Sequence, residues 1–418
     1  MKLVSEIFHF LNKNKIIYAV LRNHDDLPEV ISSRDIDILI RKKDFKNQLN
    51  NIVKIICDLN FKIITQYRND RIYTLICSKI ESDVELMQFD FFFQSSVYGI
   101  NLIDSKDILE KRVFNGKIFF ATPEYQLLDK YLYLKFLGMD YPTKYNELKK
   151  SVQNRELIIS ILKQDFNCSN IEDLISLPIS KYRRKVLKNS LLKNPFKQIR
   201  MSLSFLFYHF INLFNYKGFS LGFTGPDGAG KTTIVNYLKN DLSHVFSSIN
   251  LYHFRPNLIP NLSEAAYKTK LKAEEDKNYD NPHRGKKTNM LSSVLRLCYY
   301  SLDYIIGYYW VIRPTLLKRS IVIFDRYYTD IIVDSRRSRI YLEPKLLFNY
   351  GRLFIPKLDY NILLTADENL ILLRKQELTR ESILIINKNL DFLSNKKGYH
   401  LIENNDSPEK AKVKILKT

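Results

Sequence analysis

One segment of this 418-residue chain restricts its fold more than any other, the run FSLGFTGPDGAGKTTIVNYL at positions 219–238. An apolar, β-type stretch leads into a glycine-rich stretch, and a helical pattern begins directly after it. Gly225, Gly230, Lys231 and Thr232 fit G-x-x-x-x-G-K-[ST], a pattern in which the curled backbone points successive N–H groups at phosphate oxygens. A strand, a glycine loop and a helix in this order predict a parallel sheet flanked by helices, with an anion-binding loop after one strand.

The same segment predicts the binding of ATP with magnesium. We expect Lys231 to reach the β- and γ-phosphates and the Thr232 hydroxyl to ligate Mg²⁺. A second apolar run, SIVIFDRYY at 320–328, ends in Asp325, and the carboxyl ends of parallel strands meet at one edge of a sheet. Asp325 is therefore predicted as a further magnesium ligand; the alternative is a surface aspartate that closes a strand. The expected nucleotide-binding residues are Gly225, Gly228, Gly230, Lys231, Thr232 and Thr233.

Two short motifs resemble those of the thymidylate-kinase-like P-loop kinases, over roughly residues 218–418. They are the loop GPDGAGKTT (225–233), with an acid at its third position, and the triplet Asp-Arg-Tyr that begins at Asp325. The resemblance implies a kinase in which Arg326 clamps the acceptor or the transferring phosphoryl group and Asp227 lies on the acceptor side. For Asp227, a side chain that only stabilises the loop is the open alternative.

A cationic lid is implied by the same resemblance. The segment LDYNILLTADENLILLRKQELTRES (358–382) has the pattern of a strand, a loop and a helix that leads into a basic stretch. Arg374, Lys375 and Arg380 would close over the transferring phosphate and stabilise the charge that spreads over it. A solvated basic helix face is the alternative for these cations. The residues expected near the adenine are Asn404 and Asn405.

Three basic segments depart from a thymidine-base pocket: HFRPN (253–257), NPHRGKKT (281–288) and DSRRSR (334–339). They look like a divergent branch of the superfamily that is often found among bacterial surface-polysaccharide biosynthesis proteins. This resemblance implies an anionic acceptor, such as a sugar or polyol phosphate. The arginines expected to line its site are Arg255, Arg284, Arg336 and Arg337.

Three aspartates in the N-terminal part predict a second site. The segment SSRDIDILI (32–40) puts Asp35 and Asp37 on one face of a β-run, and Asp90 ends an apolar β-run further along the chain. Three such carboxylates can hold magnesium for phosphoryl chemistry. The unit resembles the nucleotidyltransferase fold of DNA polymerase β-like proteins. One departure leaves its activity open, because LRNHDD (21–26) replaces the usual Gly-Ser turn; a fold that only binds a substrate or a partner is the alternative.

The sequence divides into three parts. Residues 1–165 alternate short β-runs, such as IDILI (36–40), with helical patterns, such as the one from Pro123 to about Leu137. Residues 166–216 form a basic and then apolar helical linker, and residues 217–418 hold the kinase-like domain. The predicted fold class is α/β: a P-loop kinase domain with a parallel sheet flanked by helices, preceded by a smaller α+β nucleotidyltransferase-like domain.

Each of two apolar stretches could either pack against the protein or associate with a membrane. Residues 181–216 hold a basic run and then an apolar run, which predict a helix packed on a domain, our preferred interpretation, or a peripheral contact with a membrane surface. Residues 289–313 are apolar on most faces, and we expect a helix buried in the kinase domain rather than a membrane span.

Charge and composition narrow the class of partner. The formal net charge is +20, from 65 Lys and Arg against 45 Asp and Glu, which favours anionic partners. No nucleic-acid-binding motif accompanies this charge, so no specific nucleic acid is expected. The four cysteines have no metal-ligand spacing, and the N-terminus has no signal-peptide cleavage site, so we expect a cytoplasmic protein; its oligomeric state stays open.

Together these features predict an ATP- and magnesium-dependent kinase that acts on a small anionic or hydroxylated acceptor, such as a sugar, polyol or nucleotide phosphate, in surface-polysaccharide biosynthesis. A nucleotidyltransferase-type activity of the N-terminal part would make the protein bifunctional. Two alternatives stay open: a thymidylate or other nucleoside-monophosphate kinase, and a nucleotide-gated regulatory or binding module.

Overall fold

The structure of this chain is a computed structural model, which describes residues 2–30, 35–80, 84–143, 146–168, 170–215, 218–243, 245–246, 248–260, 289–318, 320–375 and 378–418. The predicted acceptor segment 281–288, with Arg284, lies outside the described residues. The chain separates into two units, one formed by residues 1–81 and 85–215 and one formed by residues 82–84 and 216–418.

A mixed seven-stranded sheet forms the centre of the first unit, in the order β3-β4-β5-β2-β1-β9-β8. β2 lies at the predicted positions 36–40 and pairs parallel with β5, in a register that places Asp37 opposite Asp90. The strands of this sheet and of the separate hairpin β6-β7 are β1 (Tyr18–Val20), β2 (Ile36–Ile40), β3 (Lys62–Arg68), β4 (Ile72–Ile80), β5 (Val84–Phe92), β6 (Ser95–Val97), β7 (Ile100–Ile103), β8 (Val113–Phe114) and β9 (Phe119–Phe120).

Helices α8 and α9, which contain most of the predicted linker, belong to the first unit. α9 begins at Pro195, whose fixed φ suits a first helical turn, and the side chain of Asn194 caps it by accepting a hydrogen bond from the Lys197 N–H. No helix in the described parts of the chain is both long and apolar enough to cross a bilayer. The described helices of this unit are α1 (Lys2–Lys13), α2 (Lys42–Asp58), α3 (Ser105–Glu110), α4 (Pro123–Leu137), α5 (Asn146–Ser151), α6 (Arg155–Phe166), α7 (Ile171–Ser176), α8 (Ile179–Lys193) and α9 (Pro195–Asn212).

Side-chain alternation along β2 separates two apolar clusters. Ile38 joins one cluster, while Leu39 joins the other, together with residues of α4 such as Leu128. Successive residues of a strand point to opposite faces, so Asp37 shares the face of Leu39. The predicted aspartate site therefore lies on the face of the sheet that α4 covers.

A five-stranded parallel sheet forms the centre of the second unit, in the order β11-β12-β10-β13-β14. β10 is the central strand, all of its residues are buried, and it leads into the glycine loop. Phe223 on β10 lies opposite Asp325 on β12, so the two strands end at the same edge of the sheet. The predicted fold class, a parallel sheet flanked by helices, is confirmed. The strands are β10 (Ser220–Thr224), β11 (Ser248–His253), β12 (Ser320–Asp325), β13 (Tyr360–Thr365) and β14 (Tyr399–Glu403).

The helices of the second unit follow its strands in alternation, as expected for a parallel sheet. Those described are α10 (Lys231–Ser243), α11 (Met290–Gly307), which continues into a π-helical turn (Tyr308–Ile312), α12 (Arg313–Leu317), α13 (Tyr328–Val333), α14 (Ser335–Ser338), α15 (Pro344–Phe354), α16 (Glu368–Arg374), α17 (Arg380–Ser394) and α18 (Pro408–Lys417).

α11 and the π-helical turn lie within the predicted helical stretch 289–313, and α11 is buried on one face and exposed on the other. The carboxylate of Asp303 is fully buried, and it accepts hydrogen bonds from the backbone N–H groups of Asn257, Leu258 and Ile259. The loop after β11 needs a buried acceptor for these groups, and Asp303 supplies it from a face of the helix that also buries Leu297 and Tyr304. The large apolar side chains that remain exposed include Leu291, Leu295, Leu302 and, in the π-helical turn, Trp310.

Candidate functional site

The glycine loop between β10 and α10 has the geometry of an anion cradle. A Cβ atom at Gly225 would lie 2.0 Å from the backbone oxygen of Leu364 on β13, so only glycine fits beside that strand. Gly230 has a φ of +90°, a conformation that residues with a Cβ atom rarely adopt. α10 begins at Lys231 and directs its N-terminal N–H groups and the positive end of its dipole at the loop.

Lys231 is drawn into this loop. Its Nζ donates hydrogen bonds to the backbone oxygens of Gly225 and Pro226, both at 2.8 Å, and the residue is 6% exposed. Burial, together with the positive charge of Arg326, lowers the pKa of Lys231 from 10.5 to about 7. Phosphate oxygens are stronger partners for an ammonium group than peptide oxygens are, so Lys231 is placed to exchange these contacts for a phosphate.

Thr232 and Asp325 form a candidate magnesium site at the carboxyl edge of the sheet. Oγ1 of Thr232 lies 3.4 Å from Oδ2 of Asp325, while Oδ1 of Asp325 is buried and has no hydrogen-bond partner among the described residues. Burial alone would raise the pKa of Asp325, but the neighbouring His253 and the charges of Lys231 and Arg326 outweigh it and hold the pKa below its usual value. An ionised carboxylate and a hydroxyl are ligands that Mg²⁺ accepts, so these residues fit the ion.

Asp227 is held between two arginines. Nη2 of Arg326 donates to one oxygen of its carboxylate, and Nη2 of Arg337 donates to the other. Burial raises the pKa of Asp227, but the charges of Arg326, Lys231 and Arg337 outweigh burial and hold the pKa below its usual value. Arg326 is 4% exposed and also donates to Asp330 at 2.8 Å; the surrounding acids outweigh its burial and raise its pKa, so it stays charged. Positive charge therefore converges on one anionic group beside the loop.

Arg374 connects the end of α16 to the loop through Asn404. Arg374 donates to the backbone oxygen of Asn404 at 3.2 Å, and the side chain of Asn404 donates to the backbone oxygen of Ala229 at 2.9 Å. Asn405 accepts a hydrogen bond from the backbone N–H group of Asp367 at 2.7 Å. Of the two predicted adenine-side residues, Asn404 thus contacts the glycine loop and Asn405 contacts the residue that precedes α16.

The other two predicted lid cations occupy different places. Lys375 lies near the loop, because its charge contributes to lowering the pKa of Asp227 and its Cβ is 3.4 Å from where a Cβ at Gly228 would stand. Arg380 is 69% exposed at the start of α17, and its Nε donates to Glu368 at 3.1 Å. Lys375 thus lies beside the glycine loop, whereas Arg380 contacts the first turn of α16. Thr233, predicted to bind nucleotide, is exposed in the first turn of α10.

The described arginines that were predicted to line an acceptor site separate from one another. Arg337 reaches the loop, and Arg336 donates to the hydroxyl of Ser382 at 3.0 Å. Arg255 is 1% exposed and donates to Asp303 at 3.1 Å. Arg255 therefore belongs to the internal packing of the unit, contrary to the prediction that it lines the site.

Asp35, Asp37 and Asp90 come together in the first unit, where one carboxylate oxygen from each lies within 4.8 Å of the others. Asp90 is 5% exposed and accepts hydrogen bonds from Thr74 at 2.5 Å and Gln88 at 2.9 Å. Burial raises the pKa of Asp90 to about 6, and the negative charges of Asp37 and Asp35 add to the effect. Oxygens on one Mg²⁺ stand about 3.0 Å apart when adjacent and about 4.2 Å apart when opposite, so the three carboxylates would draw closer together to share one ion.

Arg22 neutralises this aspartate cluster on one side. Its guanidinium donates to Oδ2 of Asp37 at 2.5 and 3.0 Å and lies 3.7 Å from Asp129 on α4. Asp129 in turn accepts a hydrogen bond from Ser95. Arg22 belongs to the segment 21–26, which stands in place of the Gly-Ser turn. This segment therefore places an arginine side chain, paired with Asp37, at the aspartate cluster.

Comparison with known proteins gives matches among solved structures only. No model of a known protein family matches the chain, and no curated protein is significantly similar to it. The chain is similar to thymidylate kinase from Ehrlichia chaffeensis, with 17% identity and a TM-score of 0.34 over 48% of this chain and 97% of that one. It is also similar to thymidylate kinase from Candida albicans, with 20% identity and a TM-score of 0.35 over 49% of this chain and 91% of that one. The strand order and loop geometry of the second unit carry the fold assignment.

Three residues, two aspartates and one histidine, contact the predicted site residues but were not predicted from the sequence. Asp330 pairs with Arg326 from four positions further along the chain, a helical spacing that is visible in the sequence. His253 ends β11 with its Nδ1 3.8 Å from Asp325, and its position at a strand end was the available signal. Asp129 lies next to the aspartate cluster because α4 packs there, and no local pattern indicates that contact.

Proposed function

We propose that the second unit is an ATP- and magnesium-dependent phosphotransferase whose small acceptor carries a phosphate. The observation that carries this proposal is the contact of Asp227 with both Arg326 and Arg337 beside Lys231. Two guanidinium groups that converge on one carboxylate are also suited to a phosphate, whose oxygens accept the same paired hydrogen bonds. A phosphorylated acceptor would engage these arginines next to the loop that holds the donor.

The residues around the loop supply donor binding and charge stabilisation. The N–H groups of the loop and Lys231 would bind the β- and γ-phosphates of ATP. Thr232 and Asp325 would hold Mg²⁺, which supplies positive charge to the phosphate oxygens when bound. Arg326 stays charged because of the acids around it, so it can stabilise the negative charge that develops on the transferring group. Phosphoryl transfer depends mainly on positioning and charge stabilisation, and these are the contributions that the site offers.

The acceptor that we propose is a sugar, polyol or nucleotide monophosphate. The terminal phosphoryl group of ATP would pass to an oxygen of the acceptor phosphate, which leaves ADP and a diphosphate product. The resemblance of the basic segments to a branch found among surface-polysaccharide proteins supports a place in that biosynthesis. Thymidylate or another nucleoside monophosphate is the competing acceptor, and a nucleotide-gated module without transfer is the third assignment.

Product analysis with the full chain and Mg-ATP tests this proposal. The protein is incubated with monophosphates of nucleosides, sugars and polyols and with their unphosphorylated parents, and products are identified by mass spectrometry. We expect one class of monophosphate to yield a diphosphate, and Lys231→Ala to lose this activity by at least about 100-fold because it removes a charge from the transition state. Lys239→Ala, which changes an exposed lysine of the same helix, is the matched control and should retain it.

Three other outcomes of that experiment change the assignment. Transfer to nucleoside monophosphates alone would establish the competing kinase. Saturable binding of Mg-ATP without transfer to any acceptor would contradict the kinase and favour the regulatory module. Full activity of Lys231→Ala would show that the glycine loop does not take part in the reaction.

A second candidate function belongs to the first unit, a transfer of nucleotidyl type that depends on a divalent cation. The approach of Asp35, Asp37 and Asp90 to within 4.8 Å favours it, because in-line phosphoryl chemistry uses carboxylate-bound magnesium. The ion pair of Arg22 with Asp37 means that a bound cation must compete with a guanidinium. Binding of the cation can therefore be tested before any transfer is sought.

A further inference from the structure

The helix α9 presents an apolar face to solvent. Its exposed side chains fall on an arc about 100° wide, as spacings of three and four residues require. Exposed fractions on this arc range from 51% to 86%. The residues of this apolar arc are Phe196, Ile199, Leu203, Leu206, Phe207 and Phe210.

The opposite face of α9 fixes this orientation with polar contacts. Gln198 is 1% exposed; its amide donates to the backbone oxygen of Gly99 at 2.8 Å and accepts from the backbone N–H group of Asn101 at 3.1 Å. Phe205 packs edge-on against Tyr98, with the ring centres 5.9 Å apart, and a Cβ at Gly99 would stand 2.7 Å from that of Phe205. The helix is thus held at a set rotation, with the side that carries Gln198 and Phe205 on the protein and its apolar arc outwards.

Basic residues border the apolar arc on one side. Arg200 is exposed and follows the arc on the helix surface, and Lys193, the last residue of α8, is exposed just before α9 begins. Lys197 lies on the same side and pairs with Asp104 at 2.7 Å. No acidic residue occurs over positions 174–226, and eight Lys and Arg occur within 181–200.

The basic rim continues onto the elements beneath α9. Arg68 on β3 and Lys42 on α2 both contact the ring of Tyr208, at 5.2 and 5.7 Å from its centre. Burial lowers the pKa of Lys42, and the positive charges of Arg68, Lys46 and Arg200 add to this effect while Asp70 opposes it. Lys42, Lys46, Arg68 and Arg200 thus lie close enough for their positive charges to interact, and an anionic surface would reduce their mutual repulsion.

We propose that this face, the apolar arc of α9 with its basic rim, docks on an anionic lipid bilayer. The helix would lie in the plane of the interface, with the phenylalanines among the upper acyl chains and the lysines and arginines at the headgroups. A second copy of the chain is disfavoured as the occupant, because the chain carries a net charge of +20 and two copies would bring basic rims together. The proposal is independent of the kinase assignment.

Co-sedimentation of the full chain with lipid vesicles tests the proposal. We expect saturable binding to phosphatidylcholine vesicles with about one third phosphatidylserine, weak binding to pure phosphatidylcholine, and a loss of binding as salt rises from about 0.1 to 0.5 M. Phe207→Ser with Phe210→Ser should weaken binding to the anionic vesicles by at least about tenfold. Lys193→Glu with Arg200→Glu should do the same, about tenfold or more, through charge.

The matched control is Leu353→Ser with Phe354→Ser on α15, side chains that are 72% and 55% exposed, and it should bind as the wild type does. Circular dichroism and thermal unfolding establish that each variant is folded. Absence of binding to the anionic vesicles would overturn the proposal, as would wild-type binding by the phenylalanine variant. A concentration-dependent dimer that the phenylalanine variant abolishes, without vesicle binding, would assign the face to a second copy instead.

Discussion

Asp90 ionises at a free-energy cost in the metal-free first unit, and a nearly isosteric substitution can remove that cost. Its pKa rises from 3.8 to about 6, because the side chain is buried and lies beside Asp37 and Asp35. A difference of about two units between the pKa values of the folded and unfolded states corresponds to about 3 kcal/mol of unfolding free energy. In Asp90→Asn the new amide can donate to Oε1 of Gln88, which is buried and has no partner among the described residues, once the Gln88 amide rotates. We expect metal-free Asp90→Asn to be about 1–3 kcal/mol more stable than the wild type at about pH 8.

The pH dependence of this difference follows from the direction of the shift. The pKa of Asp90 is higher in the folded state than in the unfolded state, so protonated Asp90 stabilises the fold below about pH 4. That contribution is lost as the pH rises through about 6. Asparagine does not titrate, and the advantage of the variant should therefore vanish below about pH 4.

A divalent cation should make the wild type more stable than Asp90→Asn at about pH 8, the reverse of the order expected without metal. In the wild type, Asp90 would supply a carboxylate to the cation, which would remove the repulsion within the aspartate cluster. In Asp90→Asn the cation loses one of three carboxylates, so Mg²⁺ or Mn²⁺ should stabilise the variant much less than the wild type.

Differential scanning calorimetry of the full chain at about pH 4 and pH 8, with and without Mg²⁺, measures these effects on the transition of the first unit. Asp58→Asn changes an exposed aspartate on α2 and should shift stability by less than about 0.5 kcal/mol under every condition. The reasoning is refuted if metal-free Asp90→Asn is less stable than the wild type at pH 8, or if Mg²⁺ stabilises both proteins equally.

Two further predictions concern the second unit. The pKa of Lys231 is about 7, and bound triphosphate should restore its charge, so binding of Mg-ATP should take up nearly one proton at about pH 8 and almost none below about pH 6. Titration calorimetry in buffers of different ionisation enthalpy measures this uptake, and its persistence in Lys231→Met would contradict the assignment. Arg337→Ala should raise the KM for the acceptor by about tenfold or more and leave the KM for ATP unchanged, whereas the exposed Arg352→Ala should change neither. A rise in the KM for ATP instead would place Arg337 on the donor side.

The parts of the structure that could be predicted are those whose determinants are contiguous in the sequence. The glycine loop forms directly after β10, and α10 begins at the lysine of the motif, as the pattern indicates. β2 occupies 36–40 and α4 occupies 123–137, as expected from alternation and from a proline at the first helical turn. Turn residues, helix caps and the periodic spacing of apolar side chains act over a few residues, so they can be recognised in the sequence before the fold is known.

Contacts between distant segments could not be predicted in this way. Asp129 lies beside Arg22 because α4 covers one face of the sheet, which no local pattern specifies. Arg255 was expected at an acceptor site, but its partner Asp303 lies on a helix that is distant in the sequence. The burial of Asp303 on α11 has the same origin, because the backbone N–H groups of the loop after β11 require a buried acceptor there.

In both candidate sites an arginine already neutralises a carboxylate, Arg22 with Asp37 in the first unit and Arg326 with Asp227 in the second. An unpaired buried charge costs several kcal/mol, so a site for a charged ligand must hold an internal counter-charge. Binding of the proposed ligands would exchange partners: a cation on Asp37 would release Arg22, and a phosphate on Arg326 would release Asp227. The binding free energy becomes a small difference between two large electrostatic energies, so the paired acids, as much as the arginines, set the affinity of each site.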